Sequence, residues 1–104
     1  MDIEKLSHQF EEELKDKMFL AKKECGYNPT RFHKMLAQYG GVATAKRLIE
    51  NTLRTGRITD GYGTLLLCGR LDLTVEHSVC RPEYRPLYTE QEIAYCMEVI
   101  NAKE

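Results

Sequence analysis

Residues 3–26, IEKLSHQFEEELKDKMFLAKKECG, decide the fold class. Ile3, Leu6, Phe10, Leu14, Met18 and Ala21 recur at steps of three and four. That period builds one amphipathic helix over residues 3–24, with Glu11, Glu12, Lys15 and Lys22 on its wet side. Gly26 is placed to end it in a left-handed conformation. The same period continues down the chain. Asn28 reads as an N-cap and Pro29 as the first residue of a second helix running to about Tyr39, with Tyr27 and Phe32 as its staple. Gly40-Gly41 breaks the chain. A third helix follows from about Val42 to Leu53, with Val42, Ala45, Leu48, Ile49 and Leu53 inward, and Gly56 ends it.

Beyond residues 57–60, a turn or loop, short helices are expected over Gly61 to Cys68, closed by Gly69, and over Leu73 to Cys80, capped by Asp72. Residues 82–88, PEYRPLY, read as an extended connector, because proline opposes regular helix. The last helix has the clearest start. Thr89 caps it, Glu92 completes a capping box, and Tyr88 faces Ile93. Its stripe is Ile93, Cys96, Met97 and Ile100. No segment alternates with period two, so no strand is expected. The expected fold is all-α: one domain over residues 1–104, with a long N-terminal amphipathic helix packed on about five shorter ones.

A chain of 104 residues can bury a core without disulfides or metal. Its 42% hydrophobic and 30% charged residues fit a globular protein. No run approaches the roughly 18 apolar residues of a membrane span. The N-terminus, acidic and amphipathic, does not read as a secretory signal. With no dense cysteine framework, Cys25, Cys68, Cys80 and Cys96 are expected as reduced thiols in a cytoplasmic protein.

Chemistry-bearing constellations are weak. His77 and Cys80, with Cys68 and Cys96, could make a zinc tetrahedron, but no Cys-x-x-Cys knuckle exists. Neither His33 nor His77 is tied to a cysteine nucleophile. Asp72 and Glu76 share a helix face, but a cap and an ion pair explain them more simply. Gly61-Tyr62-Gly63 lacks the lysine of a phosphate loop. The sequence therefore predicts no catalytic, cofactor or metal residues and no enzyme.

Charge is the one functional signal. The net charge of −1 hides three blocks. Residues 1–16 hold six acids and two bases, giving −4; residues 17–57 hold nine bases and two acids, giving +7; residues 58–104 hold eight acids and four bases, giving −4. A basic middle between acidic ends suits an anionic partner, unless the blocks neutralise one another. The candidate contacts are Lys22, Lys23, Arg31, Lys34, Lys46, Arg47, Arg54 and Arg57, with Tyr27, Tyr39 and Tyr62 as candidate anchors.

Three stretches carry a resemblance: YGGVATAKRLI (39–49), DGYGTLLLCGRLDLTVEHSV (60–79) and RPEYRPLYTEQEI (81–93). Together, over about residues 39–98, they resemble an uncharacterised all-helical module of bacterial proteins. Its pattern is Y-G, then A-K-R-L-I, then G-R-L-D-L-T-V-E, then P-x-Y-x-x-L-Y-T-x-x-E. The chain departs from it at Thr44, where alanine or glutamate is expected, and by its long acidic first helix. The resemblance implies a fold of short helices and no established activity.

The expected function is non-enzymatic macromolecular binding by a small regulatory module of bacterial or phage origin, with a protein partner first. Nucleic-acid binding through the basic 17–57 segment is one alternative. A mobile-element inhibitor of a host nuclease, of the anti-CRISPR type, is another. The long first helix leaves apolar surface for a homodimer, and no membrane is involved. Arg70, Asp72 and Glu76 are expected to be architectural, with Glu76 paired to Lys46 or Arg47.

Overall fold

The structure, a computed structural model, describes residues 2–102; Met1, Lys103 and Glu104 lie outside the described residues. The helix written into residues 3–26 forms as α1, Ile3–Cys25. Asp2 caps its start, and Gly26 closes it at φ 65°, where a Cβ would be strained. The second and third helices are α2, Thr30–Tyr39, and α3, Gly41–Thr55. After them come α4, Asp60–Leu67, a 3-10 turn at Leu71–Leu73, α5, Val75–Val79, a 3-10 helix at Pro82–Leu87, and α6, Glu90–Asn101. No strand occurs among the described residues. The architecture is the expected one: a long first helix packed on shorter ones.

The core sits where α1 meets α3, α5, α6 and the second 3-10 helix. Phe10 and Leu14 of α1 bury against Ile49 of α3, Val79 of α5 and Cys96 of α6. Phe10 meets the ring of Tyr84 edge-on, centroids 5.0 Å apart, and that of Tyr88 at 5.4 Å. Edge-to-face contacts of this kind add about 0.5–1.5 kcal/mol to burial. A smaller cluster, Ala21, Leu65 and Leu73, closes the other end of α1.

Four local expectations are corrected. The first concerns α2, which starts at Thr30. Pro29 stands at the cap with a non-helical ψ of 88°, and its carbonyl accepts the first helical bond, from His33 N–H. Asn28 therefore lies one residue outside. Asp72, secondly, does not cap α5; Thr74 does, accepting from His77 N–H, while Asp72 takes two hydrogen bonds from Arg70. Residues 82–87, thirdly, are a 3-10 helix rather than an extended connector. Its bonds, Tyr84 N–H to Arg81 O and Tyr88 N–H to Arg85 O, need no proline N–H, so Pro82 and Pro86 are tolerated. Leu53, finally, is 45% exposed, and the buried line of α3 runs instead through Thr44, Ala45, Ile49 and Thr52.

The cysteines need a larger correction. Cys25, at the end of α1, and Cys68, just past α4, form a disulfide with Cα atoms 6.1 Å apart. Only Cys80 and Cys96 lie outside it. The expected four reduced thiols were one ground for a cytoplasmic setting, and this pairing removes it. It also withdraws Cys68 from any zinc tetrahedron. No described helix is long and apolar enough to cross a membrane.

Candidate functional site

Ion pairs show which charges the fold itself uses. Glu13 is the hub. It accepts from Ser78 Oγ at 2.6 Å, Tyr84 Oη at 3.0 Å and the Arg81 guanidinium, and it sits 3.8 Å from Lys17 Nζ. These contacts tie α1 to α5 and the second 3-10 helix. Arg70 joins Asp72 to Glu24 of α1, and Lys15 pairs with Glu11 and Glu12. The cations in these pairs are Lys15, Lys17, Arg70 and Arg81, none of which is a candidate contact.

Of the eight candidate contacts only Lys46 joins an ion pair among the described residues. Its Nζ lies 2.7 Å from Glu92 Oε1 and 5.0 Å from the centre of the Tyr88 ring, so it is spent joining α3 to α6. The expected pairing of Glu76 with Lys46 or Arg47 is therefore not made. The other seven project into solvent. Lys22 and Lys23 end α1, where the helix dipole favours cations. Arg31 and Lys34 stand on α2. Arg47 stacks its guanidinium 3.8 Å from the centre of the Tyr39 ring. Arg54 donates to Asn51 Oδ1 at 2.9 Å, and Arg57 follows Gly56. Glu50, the acid spaced between Arg47 and Arg54, pairs with neither. The blocks of opposite charge thus neutralise one another only at Lys17 and Lys46, and seven of the nine bases of the middle block make no ion pair among the described residues.

A second feature was not legible as a site. A cavity of about 470 Å³ opens between the C-terminal half of α1, α2, Leu48 and Asn51 of α3, and residues 57–65 and 73–76. Tyr27, Phe32, Tyr62 and Leu65 stand in its wall, and Arg31 and Arg57, both exposed, share its rim with Asp60. Two charged groups lie inside. Glu76 is 3% exposed, and its Oε2 accepts from Thr59 Oγ1 at 3.2 Å. No cation approaches it within ion-pair distance among the described residues, and burial pushes its carboxyl above the usual carboxylate range. Lys17 donates to Thr74 O at 3.1 Å, and burial pushes its ammonium down to about 8. Burial likewise raises the phenols of Tyr27 and Tyr62.

The candidate anchors divide. Tyr39 is at the surface beneath Arg47, and Tyr27 is half-buried on the cavity wall. Tyr62 is 4% exposed and donates to Val99 O at 2.7 Å, so it is a core residue. A signal for one of the cavity charges did exist. Lys17 interrupts the apolar line Leu14, Met18 and Ala21 at helical spacing. A charge inside an apolar stripe must find partners or shift its pKa.

His8, Glu11 and Glu12 bring one ligand atom each within 4.8 Å of one another on the outer side of α1. Lys15 already pairs with both acids, and Glu11 also accepts from the Gly41 N–H. No family model, curated protein or solved structure matches the chain.

Proposed function

We infer that the chain is a non-enzymatic binding protein that takes an anionic macromolecular partner on the face formed by the end of α1, α2 and α3. One observation carries this. The fold makes its ion pairs with other cations and leaves Lys22, Lys23, Arg31, Lys34, Arg47, Arg54 and Arg57 in solvent without one. A surplus of one sign along one segment adds self-repulsion to the folded state. Their use is therefore outside the chain.

The partner named first is an acidic protein surface. The Arg47 guanidinium stands 3.8 Å from the centre of the Tyr39 ring, a cation–π contact that restrains its fork before any partner arrives. Arginine and tyrosine anchors of this kind dominate protein interfaces. Exposed Leu53 and Ile58 adjoin Arg54 and Arg57 in sequence and add apolar area. Nucleic acid is the second reading, favoured by the aromatic cavity that Arg31 and Arg57 border.

The test is capture from bacterial lysate, with and without nuclease, by the wild type and by Arg47→Glu with Arg54→Glu. Both side chains are exposed, so the variant should fold. A nuclease-resistant partner lost in the variant is expected. Partner loss on nuclease treatment selects the second reading. A folded variant that captures every partner at wild-type strength removes both.

A further inference from the structure

The cavity beside α1 shares Arg31 and Arg57 with the proposed basic face, but its buried Glu76 and its aromatic wall are features that face does not use. Its volume, about 470 Å³, falls within the range of small-molecule sites, roughly 300–1,000 Å³. Its wall is aromatic and aliphatic. Glu76 holds a carboxylate inside it with only the Thr59 hydroxyl as a side-chain donor. The two guanidiniums on its rim, Arg31 and Arg57, have no acid of their own among the described residues. The Glu76 backbone N–H and the charge of Lys17 already favour its ionised form, and N–H donors from a ligand would add to what holds that buried charge.

We propose that this cavity binds a guanine nucleotide, with the base edge on Glu76 and the phosphate on Arg31 and Arg57. Guanine sets its ring N1–H beside its exocyclic amino group, so one edge presents adjacent donors to a carboxylate. Adenine and cytosine place a ring acceptor beside their amino group, and that lone pair would face the carboxylate. Uracil flanks its one N–H with two carbonyls. The planar base packs on Tyr27 and Phe32, since every base has a face that stacks on aromatic side chains. The phosphate matches the planar fork of arginine. Asp60, the acid on the same rim, suits a ribose hydroxyl rather than the phosphate. The source is a free nucleotide or an unpaired guanine in a strand, since both present this edge and this charge.

The test is calorimetric titration with GMP, AMP, UMP and guanosine, and with an oligothymidylate carrying or lacking one guanosine. GMP should bind about tenfold or more tightly than AMP, the discrimination one paired-donor edge gives. Glu76→Gln, which can still accept from Thr59, should erase that preference. Arg31→Ala with Arg57→Ala should weaken GMP to the level of guanosine. A strand source makes the guanosine-bearing oligonucleotide bind more tightly than GMP; a free-nucleotide source makes it no better than plain oligothymidylate. Absence of GMP binding at millimolar concentration overturns the proposal, as does equal binding of the three nucleotides unchanged by Glu76→Gln. Should that variant fail to fold, Met35→Trp fills the wall instead, and a folded Met35→Trp protein with wild-type GMP affinity overturns it. Failure here leaves the α3 face standing, because Arg47 and Arg54 do not line the cavity.

Discussion

The Gly41 N–H donates to Glu11 Oε1 at 2.8 Å, and a Cβ on Gly41 would stand 2.7 Å from Glu11 Cα. At this crossing α3 therefore meets α1 at backbone distance. The obstructing atom belongs to a helix backbone, so the two helices would have to separate to admit a methyl group. Gly41→Ala should cost about 1–3 kcal/mol, the usual range for overpacking. For a domain of this size each kcal/mol lowers Tm by roughly 4–8 °C. An unchanged thermal melt would count against this crossing.

Thr44 is fully buried on α3, and its Oγ1 has no hydrogen-bond partner. Valine keeps the shape and the β-branch and removes the hydroxyl. Thr44→Val should stabilise the protein by about 1 kcal/mol, at the low end of what an unsatisfied buried polar group costs. Chemical denaturation of both proteins measures the difference, and a destabilised variant would mean that the hydroxyl is satisfied in solution.

Glu76 gives stability a pH signature. Burial raises its folded-state pKa above the ordinary 4.5, so between the two values the native state holds more protons than the unfolded chain. The stability that the neutral carboxyl allows is fully present below 4.5 and is lost as pH rises through the folded value. Glu76→Gln cannot titrate. Its stability should gain on the wild type as pH rises from 4.5 towards neutrality. Parallel stability curves over that window would show that the carboxyl is not held in a low-dielectric site.

The Cys25–Cys68 disulfide closes a loop of 43 residues between the ends of α1 and α4. In the chain-entropy account, such a loop contributes about 4 kcal/mol by restricting the unfolded chain. Under denaturing, non-reducing conditions an alkylating reagent should label two of the four cysteines. Reduction should lower Tm by well over ten degrees, about 4–8 °C for each kcal/mol lost. Four labelled thiols without reductant would contradict the pairing.

The helices were legible because their signals are local. The stripe from Ile3 to Ala21, the Thr89–Glu92 capping box and the Gly26 and Gly56 stops each lie within a turn or two of what they specify. What lay hidden depends on pairs distant in sequence. The partner of Cys25 is 43 residues away, the Arg81 partner of Glu13 lies 68 away, and Lys46 found Glu92 rather than Glu76. Pro82 and Pro86 misled for a different reason: proline excludes an α-helix but not a 3-10 helix whose bonds avoid its nitrogen. The basic segment was legible as composition. That seven of its nine bases stay out of internal ion pairs was not, because that outcome turned on where every acid went. The cavity was invisible for the same reason, its wall being assembled from α1, α2, α3, α4 and the residues around α5.

The central claim is that the bases along the end of α1, α2 and α3 are held available for an external anion. Retention on immobilised heparin, measured against salt, tests it most directly. A protein of net charge −1 with evenly mixed charges has no reason to bind a polyanion. The account predicts that the wild type is retained at low ionic strength and released as salt screens the contact, and that folded Arg47→Glu with Arg54→Glu flows through. A wild type that flows through at low salt, or a folded variant retained to the same salt concentration as the wild type, would contradict it.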